Sequence, residues 1–132
     1  MNSELRDKQK KHGLKRFIHS FGYSMAGLRY AYRYEQSMLV HLIAVILVIT
    51  MGFVVQISLM EWLVCFILMG LVLATELVNT SIEAVVDLAC PKIDPLAKIA
   101  KDTASAAVLV FSLVAFISGL IIFIPKLIVM FG

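Results

Sequence analysis

Three long apolar stretches dominate the chain and follow a more polar segment at its start. They run from Met38 to Val55, from Trp62 to Leu88 and from Ala104 to Phe131. Because a helix rises about 1.5 Å per residue, each stretch can cross a hydrocarbon core about 30 Å thick. The pattern predicts three transmembrane helices, at residues 38–56, 61–90 and 104–131.

The polar first segment, residues 1–37, predicts a helix of another kind. Basic and aromatic side chains recur at helical spacing on one face, and apolar side chains recur on a neighbouring face: Arg16, His19, Tyr23 and Tyr30, then Phe17, Phe21, Met25 and Leu28. This pattern is typical of an amphipathic helix on a membrane surface. The surface helix and the three spans, with a cytoplasmic loop at 91–103 and a cytoplasmic extension of the second span, predict an all-α integral membrane protein. It has one membrane domain over residues 1–132.

The composition excludes several other classes of protein. The chain is 61% hydrophobic and 16% charged, whereas a soluble domain is about 45–50% apolar and about 25% charged. A soluble nucleic-acid binder and a disordered chain are therefore excluded, and no nucleic-acid partner is expected. Only two cysteines, Cys65 and Cys90, are present. They predict neither a disulfide framework nor a zinc site.

The positive charges predict the orientation in the membrane. Eight of the twelve Lys and Arg residues lie in the first 33 positions, the turn at 56–61 has none, and the loop at 91–103 has three. Because cytoplasmic segments are enriched in Lys and Arg, the N-terminus and the second loop are predicted to face the cytoplasm. The expected location is the inner, cytoplasmic membrane of a bacterium.

Polar residues form a stripe along the second predicted span. On a helix Glu76, Asn79, Thr80, Glu83 and Asp87 fall within an arc of about 100°. Counting about 1.5 Å per residue from an outer anchor at the start of the span places the first carboxylate about 9 Å below the inner hydrocarbon boundary. The stripe therefore runs from the cytoplasm through the layer of the lipid headgroups to the inner part of the hydrocarbon core.

Such a stripe needs a reason, because a charged residue at the centre of a membrane helix costs about 2.5–3.5 kcal/mol on insertion scales. One explanation is a structural polar clamp between helices, with the acids paired to Lys101 or Arg16. This explanation is strongest for Asp87, which is predicted to lie nearest the water. The other explanation is a functional site.

Carboxylates beside cations at a membrane boundary suit phosphoryl transfer. Mg²⁺ is commonly held by one or two carboxylates plus the phosphates of a nucleotide, and a further carboxylate can accept a proton from an attacking hydroxyl. The glycine-rich phosphate loops of soluble nucleotide-binding proteins are absent from the sequence. A kinase with this sequence must therefore come from another lineage.

Two other classes of function stay open at this stage. Intramembrane carboxylates also mark the ion pathways of small oligomeric transporters and channels. A transporter should place an essential acid near the midplane with access from both faces, whereas the half of the second span from Leu63 to Leu73 carries no charged side chain. The third class is a non-enzymatic subunit of a membrane assembly, which would not need these acids.

The sequence resembles the small prokaryotic diacylglycerol kinase and undecaprenol kinase family. The resemblance rests on the run from Glu76 to Asp87, ELVNTSIEAVVD, and extends from about Arg16 to about Leu109. It is supported by shorter motifs at Gly22-Tyr23-Ser24, Gly27-Leu28-Arg29 and Ala100-Lys101-Asp102, followed by Ser105. The resemblance implies a membrane-embedded homotrimer whose active sites are shared between subunits and transfer phosphate from ATP to a lipid alcohol.

The resemblance also implies roles for individual residues. Glu76 matches the general base and Asn79 a polar partner near it, while Glu35 and Glu83 match carboxylates that hold Mg²⁺, or another divalent cation, on the ATP phosphates. Further nucleotide contacts match Arg16, Tyr23, Lys92, Asp94, Lys101 and Asp102. The lipid substrate site matches Arg16, Ser24, Arg29, His41, Glu76 and Ser105.

Two departures from the diacylglycerol-preferring members bear on the lipid. His41 stands where those members carry another glutamate, and Met25-Ala26 replaces their Trp-Lys pair. Both positions are expected along the lipid entry. The departures favour undecaprenol as the lipid substrate, with diacylglycerol as the alternative.

Overall fold

The computed structural model describes residues 13–132, which fold into four helices and no strand. Helix α1 is Gly13–Tyr34, α2 is Gln36–Val54, α3 is Leu59–Ala89 and α4 is Pro95–Phe131. Helices α2, α3 and α4 are long and apolar enough to cross a membrane. The all-α membrane architecture predicted from the sequence is therefore confirmed.

Helix α1 corresponds to the predicted surface helix. Among its side chains only Ala31 is buried. The first twelve residues of the predicted segment lie outside the described residues. Helix α1 gives way to α2 at Glu35, whose backbone is extended (φ −101°, ψ 111°). The Glu35 side chain makes no capping hydrogen bond, so its carboxylate is available to other partners.

The turn between α2 and α3 is tightly built. Ser58 caps α3 through a reciprocal pair of bonds: its hydroxyl accepts from the Glu61 amide at 3.2 Å, and its amide donates to the Glu61 carboxylate at 2.7 Å. Gln56 adopts a left-handed conformation, with φ of 54°. Trp62 lies so close to Gly52 that an added Cβ would be 2.6 Å from its ring. Glycine is therefore required at this contact.

Helix α3 lies between α2 and α4 and packs most extensively against α4. Its buried residues are Cys65, Val72, Glu76 and Asn79, which share one face at helical spacing. Most large apolar side chains of the three spans are exposed, as expected for helices that face lipid. The buried polar pair on the central helix is thus the exception in an apolar bundle.

Helix α4 begins earlier than the apolar pattern predicts. The helix starts at Pro95, ahead of the predicted span start at Ala104, so most of the predicted cytoplasmic loop at 91–103 is helical. Asp94 caps it by accepting hydrogen bonds from the amides of Leu96 at 2.8 Å and Ala97 at 3.2 Å, and proline is favoured in the first turn. The run of apolar residues indicated only the part of this helix that can lie in hydrocarbon.

Candidate active site

Glu76 is the centre of the candidate site. The residue is only 3% exposed. The Ser37 hydroxyl donates a hydrogen bond to Glu76 Oε1, and His41 Nε2 lies 3.7 Å from Glu76 Oε2. Ser37 and His41 are four residues apart on α2, so they project from the same face toward α3. Two side chains of one span therefore orient the carboxylate of the next.

Asn79 and Glu83 extend the site one and two turns along α3. Asn79 is 8% exposed, and its Nδ2 donates to Glu83 Oε1 at 3.4 Å. Its Oδ1 is buried and has no hydrogen-bond partner among the described residues. A buried amide oxygen without a partner is unfavourable, which indicates that a ligand atom completes its bonding.

These side chains line one cavity of about 350 Å³. We call it the acidic cavity, and its lining residues are Glu35, Ser37, His41, Glu76, Asn79, Glu83, Ser105, Val108, Leu109 and Ser112. The α1–α2 break contributes one carboxylate, α3 contributes two, and α4 contributes the apolar wall and two hydroxyl groups. The geometry brings three carboxylates and an imidazole to one space beside hydrocarbon surface.

A second cavity, of about 320 Å³, lies where α3 ends and α4 begins. We call it the lysine cavity, and its lining includes Asp87, Cys90, Lys92, Asp94, Lys98, Lys101 and Asp102. Lys101 forms an ion pair with Asp87, and Lys98 forms one with Asp102. The clamp explanation is therefore confirmed for Asp87, whereas Glu76 has no lysine or arginine partner among the described residues.

The predicted site residues of α1 lie elsewhere. Arg16, Tyr23, Ser24 and Arg29 are exposed on α1, and they line neither cavity. The hydroxyl of Ser24 donates to the Ser20 carbonyl of its own helix at 3.0 Å. Within one chain the predicted site residues therefore lie in three separate places: the acidic cavity, the lysine cavity and the exposed face of α1.

Sequence reasoning missed two polar residues of the acidic cavity, Ser37 and Ser112. Helical spacing could have found both, since Ser37 lies four residues before His41, and Ser112 lies seven residues after Ser105. Neither serine was recognised as a site residue, because a single serine in an apolar helix is common. The contact with Glu76 distinguishes Ser37.

The residues of the acidic cavity fit a divalent cation that shares its ligands with a nucleotide. Within residues 13–132 no three His, Cys, Asp or Glu side chains converge to hold a metal ion by themselves. Mg²⁺ in phosphoryl-transfer sites needs only one or two carboxylates plus phosphate oxygens. Glu35 and Glu83 line the same cavity, and the free Asn79 Oδ1 is a further oxygen of the type that Mg²⁺ prefers.

The chain is similar to known lipid kinases along most of its length. The family model described as prokaryotic diacylglycerol kinase matches residues 22–123. The chain is 42% identical over 120 residues to the undecaprenol kinase of Bacillus subtilis, covering 91% of this chain and 98% of that protein.

Two diacylglycerol kinases are also similar. The enzyme of Synechocystis is 36% identical over 109 residues, which cover 82% of this chain and 62% of that protein. The enzyme of Pseudomonas aeruginosa is 37% identical over 95 residues, which cover 72% and 77%. The matched region contains α2, α3 and the acidic cavity. The chain therefore belongs to the prokaryotic diacylglycerol kinase family and is a bacterial membrane lipid kinase with ATP as its phosphate donor.

Proposed function

We propose that the protein transfers the γ-phosphate of ATP to the hydroxyl of undecaprenol, giving undecaprenyl phosphate, and that diacylglycerol, giving phosphatidic acid, is the second candidate. The similarity to an undecaprenol kinase over 98% of that protein supports this order. The resemblance noted in the sequence supports it as well, because it implies a glutamate in the diacylglycerol-preferring members at the position of His41. The transporter or channel alternative has no support, since the matched family and relatives are lipid kinases.

The observation that carries the proposal is the buried carboxylate of Glu76 in the acidic cavity. Each carboxylate oxygen has two lone pairs, so the contacts from Ser37 and His41 leave room for a substrate hydroxyl. Glu76 accepts the hydroxyl proton while the alcohol oxygen bonds to the γ-phosphorus. The bond from that phosphorus to the β–γ bridging oxygen breaks, and ADP leaves with the bond's electron pair.

The other acidic residues take supporting roles in this proposal. Glu35 and Glu83 hold Mg²⁺ beside the phosphates, and Asn79 supplies a polar contact near the base. When bound, the cation neutralises charge on the phosphate oxygens. Arg16, Tyr23, Lys92, Asp94, Lys101 and Asp102 contact the nucleotide, and Arg16, Ser24, Arg29, His41 and Ser105 line the path of the lipid alcohol.

A homotrimer with shared sites is part of the proposal. Within one chain, the proposed nucleotide contacts on α1 and in the lysine cavity do not line the acidic cavity. A neighbouring subunit is the simplest source of the missing contacts. We further propose that the protein lies in the cytoplasmic membrane with its N-terminus in the cytoplasm, so that the acidic cavity opens on the side that supplies ATP.

The test offers undecaprenol and diacylglycerol side by side to the purified protein in detergent micelles with Mg-ATP. We expect phosphate transfer to both alcohols, with the higher kcat/KM for undecaprenol, and no transfer when EDTA removes the cation. Transfer to neither alcohol would overturn the proposed reaction. A higher kcat/KM for diacylglycerol would reverse the order of the two substrates.

A further inference from the structure

The hydroxyl of Ser37 is bonded differently from most helical hydroxyls of this protein. Five others donate to the carbonyl four residues before them, namely those of Ser20, Ser24, Thr50, Thr75 and Thr103. Such a bond satisfies the hydroxyl within its own helix. Ser37 instead donates to Glu76 Oε1, which lies on another helix and 39 residues later. Its hydroxyl is therefore committed to a tertiary contact.

The break between α1 and α2 explains this difference. Ser37 is the second residue of α2, and the residue four positions before it, Arg33, belongs to α1. The extended backbone of Glu35 separates the two helices. Because the first turn of a helix has no preceding turn of the same helix, Ser37 lacks the local carbonyl acceptor that the other hydroxyls use. The break thereby leaves its hydroxyl free to bond to α3.

The Ser37 hydrogen bond makes the two carboxylate oxygens of Glu76 different from each other. Oε1 accepts from Ser37, whereas Oε2 accepts no hydrogen bond from residues 13–132. His41 Nε2 is 3.7 Å from Oε2, which is beyond the usual hydrogen-bond distance of about 2.7–3.2 Å. Since Glu76 lines the acidic cavity and each carboxylate oxygen has two lone pairs, Oε2 is the oxygen that is open to a substrate.

The orientation of this carboxylate matters for proton transfer. The last torsion of a glutamate side chain is broad, so the carboxylate turns easily unless a partner holds it. A general base must come within about 2.6–3.2 Å of the group that gives up the proton. A misplacement of about 1 Å can reduce the rate about 100-fold. A single hydrogen bond to Oε1 is therefore enough to change how often Oε2 is in a reactive position.

We propose that Ser37 is a positioning residue of the kinase, which holds Glu76 Oε1 so that Oε2 accepts the proton of the lipid alcohol. The proposal rests on the proposed reaction, in which Glu76 is the base. Ser37 acts through Glu76 in this role and does not bind either substrate. The α1–α2 break then serves the site twice, because it carries Glu35 and also frees the hydroxyl that holds the base.

Ser37→Ala tests the proposal by removing the hydroxyl alone. With Mg-ATP and the lipid alcohol that the wild type phosphorylates faster, we expect kcat to fall about 10- to 100-fold, because the base loses its fixed orientation. The KM values for ATP and for the alcohol should stay within about twofold of the wild type, since no substrate contact is lost. Ser37→Thr keeps a hydroxyl on the same carbon and should restore kcat to within about threefold.

A second measurement separates positioning from a general loss of folded enzyme. Ser37→Ala is added to Glu76→Gln, and the residual transfer of the double variant is compared with that of Glu76→Gln alone. Residues that act as a unit have effects that do not add. If Ser37 acts only through the base, the double variant should be no slower than Glu76→Gln. A damaged fold would lower the rate in both backgrounds.

Thr50→Val is the matched control on the same helix. The Thr50 hydroxyl donates to the carbonyl of Ile46 at 2.8 Å, and Thr50 does not line the acidic cavity. The variant therefore removes a hydroxyl from α2 without touching Glu76. Its kcat and both KM values should equal those of the wild type.

Three outcomes would overturn the positioning role. The first is an unchanged kcat in Ser37→Ala. The second is a rise in the KM for the alcohol with kcat unchanged, which would make Ser37 a binding residue. The third is a further loss of about tenfold or more when Ser37→Ala is added to Glu76→Gln. Failure of the proposed reaction is distinguishable, because the wild type would then phosphorylate neither alcohol or Glu76→Gln would keep full turnover.

Discussion

The two ends of the helical bundle differ in how completely their polar groups are paired. At the α2–α3 turn, Ser58 and Glu61 cap the helix reciprocally, and Lys126 reaches Glu61 at 3.1 Å from α4. In the acidic cavity and its surroundings, the oxygens Asn79 Oδ1, Thr80 Oγ1 and Ser112 Oγ are buried without a partner among the described residues. One end uses its polar groups to join helices, and the other leaves some of them free.

The polar groups of the α2–α3 turn stabilise the fold, whereas those of the acidic cavity serve the proposed reaction. A buried polar group without a partner costs about 1–3 kcal/mol, so each of the three unpaired oxygens lowers the stability of the fold. Asn79 and Ser112 line the acidic cavity, so their unpaired oxygens are available to a nucleotide, a cation or an alcohol. Variants at the two ends should therefore affect different measurements, activity at the acidic end and stability at the turn.

The largest effect is expected for Glu76→Gln. Glutamine keeps the size of the side chain but cannot accept the hydroxyl proton, so phosphate transfer should fall by about 10²- to 10⁴-fold. Nucleotide binding, measured with a fluorescent ATP analogue, should stay close to that of the wild type. Glu61→Gln, a carboxylate change at the turn end of the same helix, is the control and should retain activity. Unchanged turnover in Glu76→Gln would remove the base assignment.

Gly52→Ala should give the largest loss of stability. The added Cβ would lie 2.6 Å from the Trp62 ring, and that ring packs between Phe53 and Phe66 at centroid distances of 5.0 and 5.6 Å. Because the ring has little room to move, the free energy of unfolding should fall by about 1–3 kcal/mol. Denaturant titration in mixed micelles measures it. Gly70→Ala, where nothing lies within 4 Å, should stay within about 1 kcal/mol of wild type.

Glu83→Gln should weaken the response to Mg²⁺. Removing one carboxylate from the acidic cavity should raise the Mg²⁺ concentration for half-maximal transfer by about tenfold, which corresponds to about 1.4 kcal/mol. The measurement is a Mg²⁺ titration at fixed ATP and saturating lipid, with Glu61→Gln as the control. An identical titration curve for Glu83→Gln would count against its role in holding the cation.

The smallest effect is expected for Lys126→Met. The variant breaks the contact with Glu61 while keeping a long apolar side chain, and ion pairs that are partly exposed contribute little to stability. The Tm should fall by less than about 4 °C, and phosphate transfer should be unchanged. A large loss of activity would show that the two ends are coupled, which contradicts the separation described above.

The helices were predictable because their causes are local. Apolar runs of sufficient length and the periodic stripe on α3 depend only on residue order, so three spans and the face that carries Glu76, Asn79 and Glu83 followed directly. The count of apolar residues predicted a span from Ala104 and not where its helix begins, which the Asp94-Pro95 signal, a capping acid followed by a proline, indicates. That signal is also local, so closer attention to helix starts would have found it.

The partners of the stripe were less predictable. Sequence spacing allowed Lys101 to pair with any acid of α3, and the structure pairs it with Asp87 and leaves Glu76 facing Ser37 and His41. Periodicity assigns residues to a face but does not say which face of a second helix meets it. Rotation of α2 by one residue, about 100°, would have removed both contacts.

The sequence alone determined that this protein is a membrane-embedded helical bundle with an acidic stripe, because hydrophobicity and helical periodicity are properties of short segments. Only the tertiary structure decided that Glu76 is buried against two side chains of α2 and that the lysine cavity is separate from the acidic cavity. These features depend on how three helices are rotated and spaced against one another. That arrangement is set by packing between residues distant in the chain.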